Sequence, residues 1–241
     1  MKLQRLLCLT RQAVDHYHLI ESGDHIAIGI SGGKDSLTLL LALAHLQKFY
    51  PLPFSLSAIT VDLGFEPLHT EPIRQLCSQL SVPYFVVPTQ IGPAVFETRQ
   101  ETNPCSLCAK MRKGALNGKA LELGCNKVAY AHHRDDLIET AMMSLLYEGR
   151  FHAFPPKTLL DRTGLSVIRP MLLVREADVI GFQRKYQLPV CKNPCPVDGH
   201  TKREYIKNLI RQLERENPGA KDRLFHAVVS QNAKNDWNAK F

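Results

Sequence analysis

Apolar residues along the chain form short continuous runs that alternate with longer periodic segments, a pattern that predicts alternating strands and helices. The predicted strands comprise residues 25–30, 55–62, 83–87, 127–131 and 166–169. The predicted helices comprise an N-terminal helix to about residue 21 and segments 35–47, 69–80, 135–147 and 175–186. Short apolar strands between helices are typical of a parallel sheet covered on both faces. The pattern therefore predicts an α/β fold with a doubly wound parallel sheet.

The pattern is interrupted in two places and changes near the C-terminus. Residues 89–104 and 189–201 are predicted to be loops, and both contain proline and lead into or carry cysteine. From residue 202 onward the chain is charged and predicted to be helical. We therefore divide it into an N-terminal helix (1–24), one main domain (25–215) and a basic helical tail (216–241).

The composition fits an ordinary globular domain. The 241 residues are 44% hydrophobic and 22% charged, and no apolar run approaches the roughly 18 residues that a membrane span needs. The N-terminal apolar stretch is broken by charges, so we expect no signal peptide, no membrane partner and a cytoplasmic location. The 30 basic and 23 acidic residues give a net charge of +7, which favours a polyanionic partner without identifying it. Seven cysteines without an export signal favour metal or redox chemistry over a disulfide framework.

A glycine-rich turn connects the first predicted strand to the helix that follows it. It consists of Ser31, Gly32, Gly33, Lys34, Asp35 and Ser36. A strand, then glycines, then a helix N-terminus presents backbone N–H groups to an anion at close approach. The turn is not a Walker loop, because Ile28 stands where its first glycine should be and Asp35 follows the lysine in place of Ser or Thr.

The run SGGKDS resembles the PP-loop of the ATP pyrophosphatases, which split ATP into AMP and pyrophosphate while adenylating a substrate. The resemblance implies a Rossmann-like sheet of the PP-loop type, in which the loop surrounds the pyrophosphate. It implies that all six loop residues bind ATP, that Mg²⁺ accompanies the nucleotide, and that Lys34 and Asp35 take part in catalysis.

A cysteine pair, Cys105 and Cys108, precedes a basic stretch that is predicted to be helical. Two thiolates in a C-x-x-C turn can bind one metal ion, and nearby cations favour the thiolate form. Cys191 and Cys195 supply further sulfur atoms later in the chain. The spacing permits a closed zinc site, a redox pair or an iron–sulfur cluster on three cysteines, and does not select among them. The remaining cysteines are predicted to be small buried residues: Cys8, Cys77 and Cys125.

Both cysteine regions resemble those of the tRNA 2-thiocytidine synthetases, the TtcA group. The resembling residues are 104–108 with 112–114, and 193–199 with 201 and 203. The resemblance implies that Cys105, Cys108 and Cys195 hold a [4Fe-4S] cluster whose free iron carries the transferred sulfur, with Cys191 as the alternative third ligand. Arg112 is implied as a catalytic cation and stands where related 2-thiouridine synthetases have lysine. The later cysteines are spaced C-x-x-x-C here, whereas the cytidine enzymes have C-x-x-C.

A group of histidine and acidic residues follows the fourth predicted strand. Open α/β sheets bind ligands at the carboxyl ends of their strands. Adjacent carboxylates such as Asp135 and Asp136 can hold Mg²⁺ through water, or can simply stabilise a helix N-terminus. The run from Ala131 to Thr140 resembles the second nucleotide-site motif of the PP-loop enzymes. This implies metal-binding and catalytic roles for both aspartates and places His132 at the ATP.

Other polar residues match positions where relatives approach the nucleotide or the RNA. Asp62 ends the second predicted strand and Arg169 ends the fifth, and the resemblance implies that both lie near ATP. A basic C-terminal stretch is predicted either to follow an RNA phosphate backbone or to be a solvated helix face. Its members are Lys202, Arg203, Lys207, Arg211, Arg215, Lys221 and Arg223.

The resemblance covers about residues 5–215 and implies ATP-dependent tRNA thiolation. The 2-oxo group of the base would be adenylated with release of pyrophosphate, and sulfur delivered through the cluster would then replace AMP to give 2-thiocytidine. The implied partners are tRNA and a sulfur donor such as a cysteine desulfurase or inorganic sulfide, with a homodimer as one option. The alternatives are a PP-loop enzyme for another acceptor (2-thiouridine, lysidine or amide-forming) and a zinc-stabilised ATP-binding module.

Overall fold

The structure is a computed structural model that describes residues 1–65, 69–98, 104–191 and 202–234. The strands are β1 (Asp24–Gly29), β2 (Phe54–Asp62), β3 (Tyr84–Pro88), β4 (Lys127–Ala129), β5 (Lys157–Leu160) and β6 (Leu165–Ile168). The helices are α1 (Leu3–His16), α2 (Lys34–Leu46), α3 (Glu71–Gln79), α4 (Ile91–Pro93), α5 (Pro104–Glu122), α6 (Arg134–Glu148), α7 (Glu176–Tyr186), α8 (Lys202–Glu216) and α9 (Ala220–Lys234). A π-helical segment, Ala94–Thr98, continues α4.

The strands form one sheet in the order β3-β2-β1-β4-β6-β5. β1 pairs in parallel with both β2 and β4, so the strand order reverses between β1 and β4. In open α/β sheets such a reversal opens a crevice at the carboxyl ends of the two strands. The predicted doubly wound α/β fold is therefore confirmed, and it places the ends of β1 and β4 at the expected ligand position.

One edge of the sheet differs from the prediction, because β5 runs antiparallel to β6. We predicted a wholly parallel sheet and missed this strand. Residues 161–164 are the whole connection between β5 and β6, and a parallel pair would need a crossover of a dozen or more residues. A short turn thus forces the hairpin.

Apolar side chains of β1 alternate between the two faces of the sheet. Ile26 and Ile28 pack on the face covered by α1, α2 and α7, in a cluster that includes Leu40 and Phe182. Ala27 faces the other side, in a cluster with Leu116 of α5. Burial on both faces explains why the central strands are almost continuously apolar.

Three local predictions of secondary structure differ from the structure. The N-terminal helix ends at His16 rather than near residue 21, because His18 adopts a left-handed backbone and the Leu19 N–H closes the helix end on Val14 O. The predicted loop 89–104 contains α4 and the π-helical segment. The cysteine pair, predicted to lie in a turn, lies on α5 at its second and fifth residues.

The C-terminal helices α8 and α9 pack against α6. Ile206 and Ile210 of α8 are buried with Ile138, and Val228 of α9 is buried with Leu137. In the part of the chain that the structure describes, no helix combines the length and the apolar character needed to cross a membrane.

Candidate functional site

The glycine-rich turn after β1 is shaped by its own two serine hydroxyls. The N–H of Ser31 donates to Ser36 Oγ at 3.2 Å, and Ser36 Oγ donates to the carbonyl of Gly33 at 3.0 Å. The Gly33 N–H lies 3.3 Å from Ser31 Oγ. No side chain among the described residues caps the N-terminus of α2 at Gly33. The N–H groups of the first turn of α2 therefore remain available to an anion.

Two glycines at this turn permit close contacts that a side chain would block. Gly32 has φ of +79°, and a Cβ there would lie 3.2 Å from Cys191 Cβ. The Cys191 N–H also donates to the Gly32 carbonyl at 3.0 Å. A Cβ on Gly29 would lie 2.9 Å from Leu116 Cδ2. Cys191 thus packs directly on Gly32, a contact that sequence reasoning missed.

Lys34 lies between two carboxylates at the start of α2. Its Nζ is 2.9 Å from Asp35 Oδ2 and 3.4 Å from Glu176 Oε1. Burial lowers the pKa of Lys34, but the two carboxylates outweigh this effect and leave the pKa above its ordinary value. The other oxygen of Asp35 is buried and has no hydrogen-bond partner among the described residues. That oxygen lies 3.7 Å from His133 Nε2.

A reciprocal cap begins α6 at the end of β4. The His133 N–H donates to Asp136 Oδ2 at 2.9 Å, and the Asp136 N–H donates to His133 Nδ1 at 3.3 Å. Nδ1 of His133 also lies 3.1 Å from Asp136 Oδ2, and Nε2 faces Asp35. The second Asp136 oxygen is 3.6 Å from Arg203 Nη1. Asp136 and Asp35 therefore flank one histidine at the crevice.

Asp135 does not join Asp136 at the crevice. One of its oxygens accepts from the backbone N–H of Glu176 and the other from Lys221 Nζ, each at 2.7 Å. Burial raises the pKa of Asp135, but these two hydrogen bonds outweigh it and hold the pKa below its ordinary value. Sequence reasoning treated the two aspartates as a pair, whereas the structure uses Asp135 to connect α6 with α7 and α9.

His132 and Arg169 form a buried pair beside the crevice. Arg169 Nε donates to His132 Nδ1 at 3.2 Å, and Arg169 Nη1 donates to Pro155 O at 2.6 Å and to Thr158 Oγ1 at 3.2 Å. Both side chains stack on the Phe154 ring. Burial lowers the pKa of His132 to about 4, so the ring is neutral near pH 7 and can accept this hydrogen bond. His132 lines the crevice, and Arg169 fixes its orientation from behind.

The crevice itself has a volume of about 310 Å³ and lies between β1, β4 and α5. Its apolar wall includes Ile59, Val61 and Tyr130. The opposite wall is one face of α5. The residues on this face are spaced three or four apart, as on one side of a helix: Ala109, Arg112, Lys113 and Leu116. Arg112 thus lies at the crevice, and its catalytic role stays a prediction. Lys113 and Tyr130 were missed, although the helical spacing from Arg112 could have indicated Lys113.

Asp62 is placed at the end of β2 but does not line the crevice. Its carboxylate accepts from the Gly64 N–H at 3.0 Å, and its carbonyl accepts from the Thr89 hydroxyl at 2.6 Å. These bonds fix the turn that follows β2. A direct contact with ATP stays a prediction.

The cysteine pair lies on α5, on the side of Arg112 towards the helix N-terminus. Cys105 is exposed, and Cys108 is buried with Leu63 and Ile91. Cys195 lies outside the described residues. Among those that are described, no three histidine, cysteine or acidic residues are grouped as metal ligands, so Cys191 does not complete a set with Cys105 and Cys108.

The other cysteines divide into two kinds. Cys77 and Cys125 are buried as predicted, and burial raises the pKa of each thiol to about 11. Cys8 is exposed, so its predicted burial is wrong. It lies on the outward side of α1, whose inward side buries Leu6 and Thr10.

Three cations of the basic C-terminal stretch contact buried carboxylates. Lys207 contacts Glu176 at 2.6 Å, Lys221 contacts Asp135, and Arg203 contacts Glu139 at 3.3 Å. Lys207 and Lys221 are partly buried, whereas Arg203 stays exposed. An RNA-binding face and a solvated helix face along residues 202–223 both stay predictions.

Comparisons with known proteins agree with this geometry. Residues 8–214 match the family described as the PP-loop domain. The tRNA-cytidine(32) 2-sulfurtransferase of Pelobacter propionicus is 36% identical over 228 residues, which cover 93% of this chain and 85% of that protein. The protein of the same name from Geotalea uraniireducens is 37% identical over 222 residues, which cover 91% and 88%.

A solved structure supports the fold independently. The U34-tRNA thiolase NcsA from Methanococcus maripaludis, with its [4Fe-4S] cluster, has a TM-score of 0.76 to this chain. The match covers 95% of this chain and 78% of that one, at 24% sequence identity. At this identity the likeness concerns the arrangement of strands and helices.

Proposed function

The chain belongs to the PP-loop domain family and has tRNA-cytidine(32) 2-sulfurtransferases among its relatives, and from this premise we propose that it is an ATP-dependent enzyme that thiolates cytidine in tRNA. Cytidine 32, the position named in those relatives, is the first candidate target. The observation that carries the proposal is the meeting of two motifs at one crevice. The glycine-rich turn after β1 and the His-Asp group after β4 flank the reversal of strand order, opposite Arg112.

The proposed first step is adenylation of the base. The 2-oxo oxygen of cytosine attacks the α-phosphorus of ATP, the bond between the α-phosphorus and the bridging oxygen breaks, and pyrophosphate leaves. Backbone N–H groups of the first turn of α2 and the Lys34 ammonium group stabilise the charge on the leaving pyrophosphate. A sulfide sulfur then attacks the ring carbon that carries the adenylated oxygen and displaces AMP. One difficult substitution at carbon is thereby divided into two steps with good leaving groups.

Two carboxylates at the crevice fit the Mg²⁺ that accompanies ATP. Asp35 has a buried oxygen without a hydrogen-bond partner among the described residues, and Asp136 faces the same crevice. Mg²⁺ is usually held by one or two carboxylates together with phosphate oxygens and water. We propose that Asp35 and Asp136 hold it, and that it offsets the negative charge of the triphosphate.

The two cysteines of α5 fit a sulfur site next to the crevice. Cys105 and Cys108 lie three residues apart near the start of α5, so they are neighbours on the helix surface. We propose that they hold a [4Fe-4S] cluster with Cys195 as third ligand. When bound, the cluster supplies an open iron position for the sulfur atom that is transferred.

The two remaining partners follow from the proposed reaction. The tRNA would present its target base from the side of α5, where Arg112 and Lys113 line the crevice. A cysteine desulfurase or inorganic sulfide would supply the sulfur.

The proposal is tested with protein reconstituted anaerobically with iron and sulfide and incubated with Mg-ATP and tRNA. We expect AMP and pyrophosphate in equal amounts and 2-thiocytidine in the tRNA, measured by mass spectrometry of its nucleosides. Lys34→Ala should lower the rate of pyrophosphate release by about 100-fold, the order expected when one preorganised electrostatic group is removed. Release of ADP and orthophosphate, or undiminished pyrophosphate release by Lys34→Ala, would contradict the proposal. Colourless protein with stoichiometric zinc and no AMP would favour an ATP-binding module instead.

A further inference from the structure

Four charged side chains form a chain from the phosphate-binding turn into the C-terminal helices. Lys34 Nζ lies 2.9 Å from Asp35 Oδ2 and 3.4 Å from Glu176 Oε1. The same Glu176 oxygen lies 2.6 Å from Lys207 Nζ on α8. The Glu176 side chain is only 10% exposed, so water screens its negative charge little. Lys34 and Lys207 therefore have to stabilise the ionised carboxylate.

The backbone of Glu176 is held from a second direction. Glu176 is the first residue of α7, and its N–H donates to Asp135 Oδ2 at 2.7 Å. The other Asp135 oxygen accepts from Lys221 on α9. Helices α6, α8 and α9 therefore all contribute to placing the Glu176 carboxylate beside Lys34.

We propose that Glu176 and Lys207 are positioning residues for the phosphate-loop lysine, which makes the C-terminal helix α8 a working part of the nucleotide site. The inference rests on the proposed role of Lys34 at the leaving pyrophosphate. Glu176 holds the ammonium group at the turn. Lys207 neutralises the Glu176 carboxylate, which would otherwise repel the triphosphate.

The charge state of Glu176 agrees with this arrangement. Burial raises the pKa of Glu176, but Lys207 and Lys34 outweigh burial and leave the pKa below its ordinary value. Glu176 is therefore charged near pH 7, and its contacts with Lys34 and Lys207 are ion pairs under the conditions in which ATP binds.

The first test measures nucleotide binding. Lys207→Ala leaves a buried carboxylate beside the phosphates without its nearest cation, so affinity for α,β-methylene-ATP should fall about tenfold. Lys207→Arg keeps the charge and should bind within about twofold of the unchanged protein. The double variant Lys207→Ala/Glu176→Gln removes the charge that Lys207 balances, and should recover affinity to within about threefold.

The second test separates positioning from charge. Glu176→Gln makes the phosphate region less negative but leaves Lys34 with only one of its two orienting carboxylates, Asp35. We expect kcat for AMP formation to fall about tenfold while KM for ATP does not rise. A role limited to stabilising the fold would lower the midpoint of thermal unfolding without this division between kcat and KM.

The experiment uses calorimetry with Mg²⁺ and α,β-methylene-ATP on the full chain, with thermal unfolding measured for each variant. Arg211→Ala is the matched control, because Arg211 lies on α8 but is exposed and pairs only with Glu204 and Asn208 among the described residues.

Absence of binding by the unchanged protein would refute the proposed function itself. Normal binding by the unchanged protein together with equal effects of Lys207→Ala and Arg211→Ala would overturn only the positioning role. If Lys207→Ala does not fold, an unchanged kcat in Glu176→Gln overturns it.

Discussion

The two loops that flank the crevice are built in different ways. The turn after β1 depends on glycines and serine hydroxyls, and its internal hydrogen bonds join Ser31, Gly33 and Ser36. The loop after β4 depends on side chains, with His133 and Asp136 capping each other while Asp135 points into the protein. The backbone of the first loop is shaped mainly by hydrogen bonds among its own residues, whereas the side chains of the second loop depend on α7 and α9.

This difference explains which parts of a motif can be assigned from sequence. In the first loop the backbone itself offers the binding groups, so the residue types are sufficient to identify them. In the second loop neighbouring helix residues point about 100° apart, so two adjacent aspartates need not share a role. We therefore expect substitutions in the first loop to affect the nucleotide directly, and those in the second to separate into catalytic and structural effects.

The largest effect is expected from Gly32→Val. A β-branched residue at φ of +79° is strained, and its Cβ would crowd Cys191. Strain and crowding together cost roughly 4 kcal/mol, close to 1000-fold in affinity, if the turn must leave its binding geometry. Calorimetry with Mg-ATP measures the loss. The control is Gly118→Ala on α5, where a Cβ has no heavy atom within 4 Å and binding should not change.

The next effect separates the two aspartates. Asp136→Asn keeps an oxygen for the His133 N–H but removes a negative charge from the crevice, so AMP formation should slow by about 100-fold. The midpoint of thermal unfolding should change little. Steady-state assays with titrated Mg²⁺ give the rate, and a rate close to that of the unchanged protein would remove Asp136 from the proposed metal site.

Asp135→Asn should instead destabilise the fold, because it leaves Lys221 without its charged partner and weakens the cap on α7. The expected cost is about 3 kcal/mol at pH 7, measured by denaturant unfolding. The pKa of Asp135 is lower in the folded state, so this stabilisation is present above the unfolded value of about 3.9 and is lost as pH falls through the folded value. The difference between the two proteins should therefore shrink below pH 4. A difference that stays constant down to pH 3 would show that the charge of Asp135 is not its source.

The contrast between features set by local residues and features set by distant partners also explains how much of the fold could be predicted. The central strands were identified because burial on both faces makes them continuously apolar, as in β1 and β2. β5 was missed because it is a short edge strand whose existence depends on pairing with β6. The direction of Asp135 depends on partners 41 and 86 residues away in sequence, so no local pattern could reveal it.

The smallest effect is expected where β1 and α5 share a wall of the crevice. A Cβ on Gly29 would lie 2.9 Å from Leu116 Cδ2, and the end of a leucine side chain can move at low cost. Gly29→Ala should therefore displace the Leu116 methyl group within the crevice that both residues line, and raise KM for ATP about threefold with kcat unchanged. Leu116→Val removes the crowded methyl group, so Gly29→Ala/Leu116→Val should restore KM. If KM for ATP in the double variant stayed as high as in Gly29→Ala, the rise in KM would come from the β1 backbone. The sheet alone, and not Leu116 of α5, would then determine this part of the crevice wall.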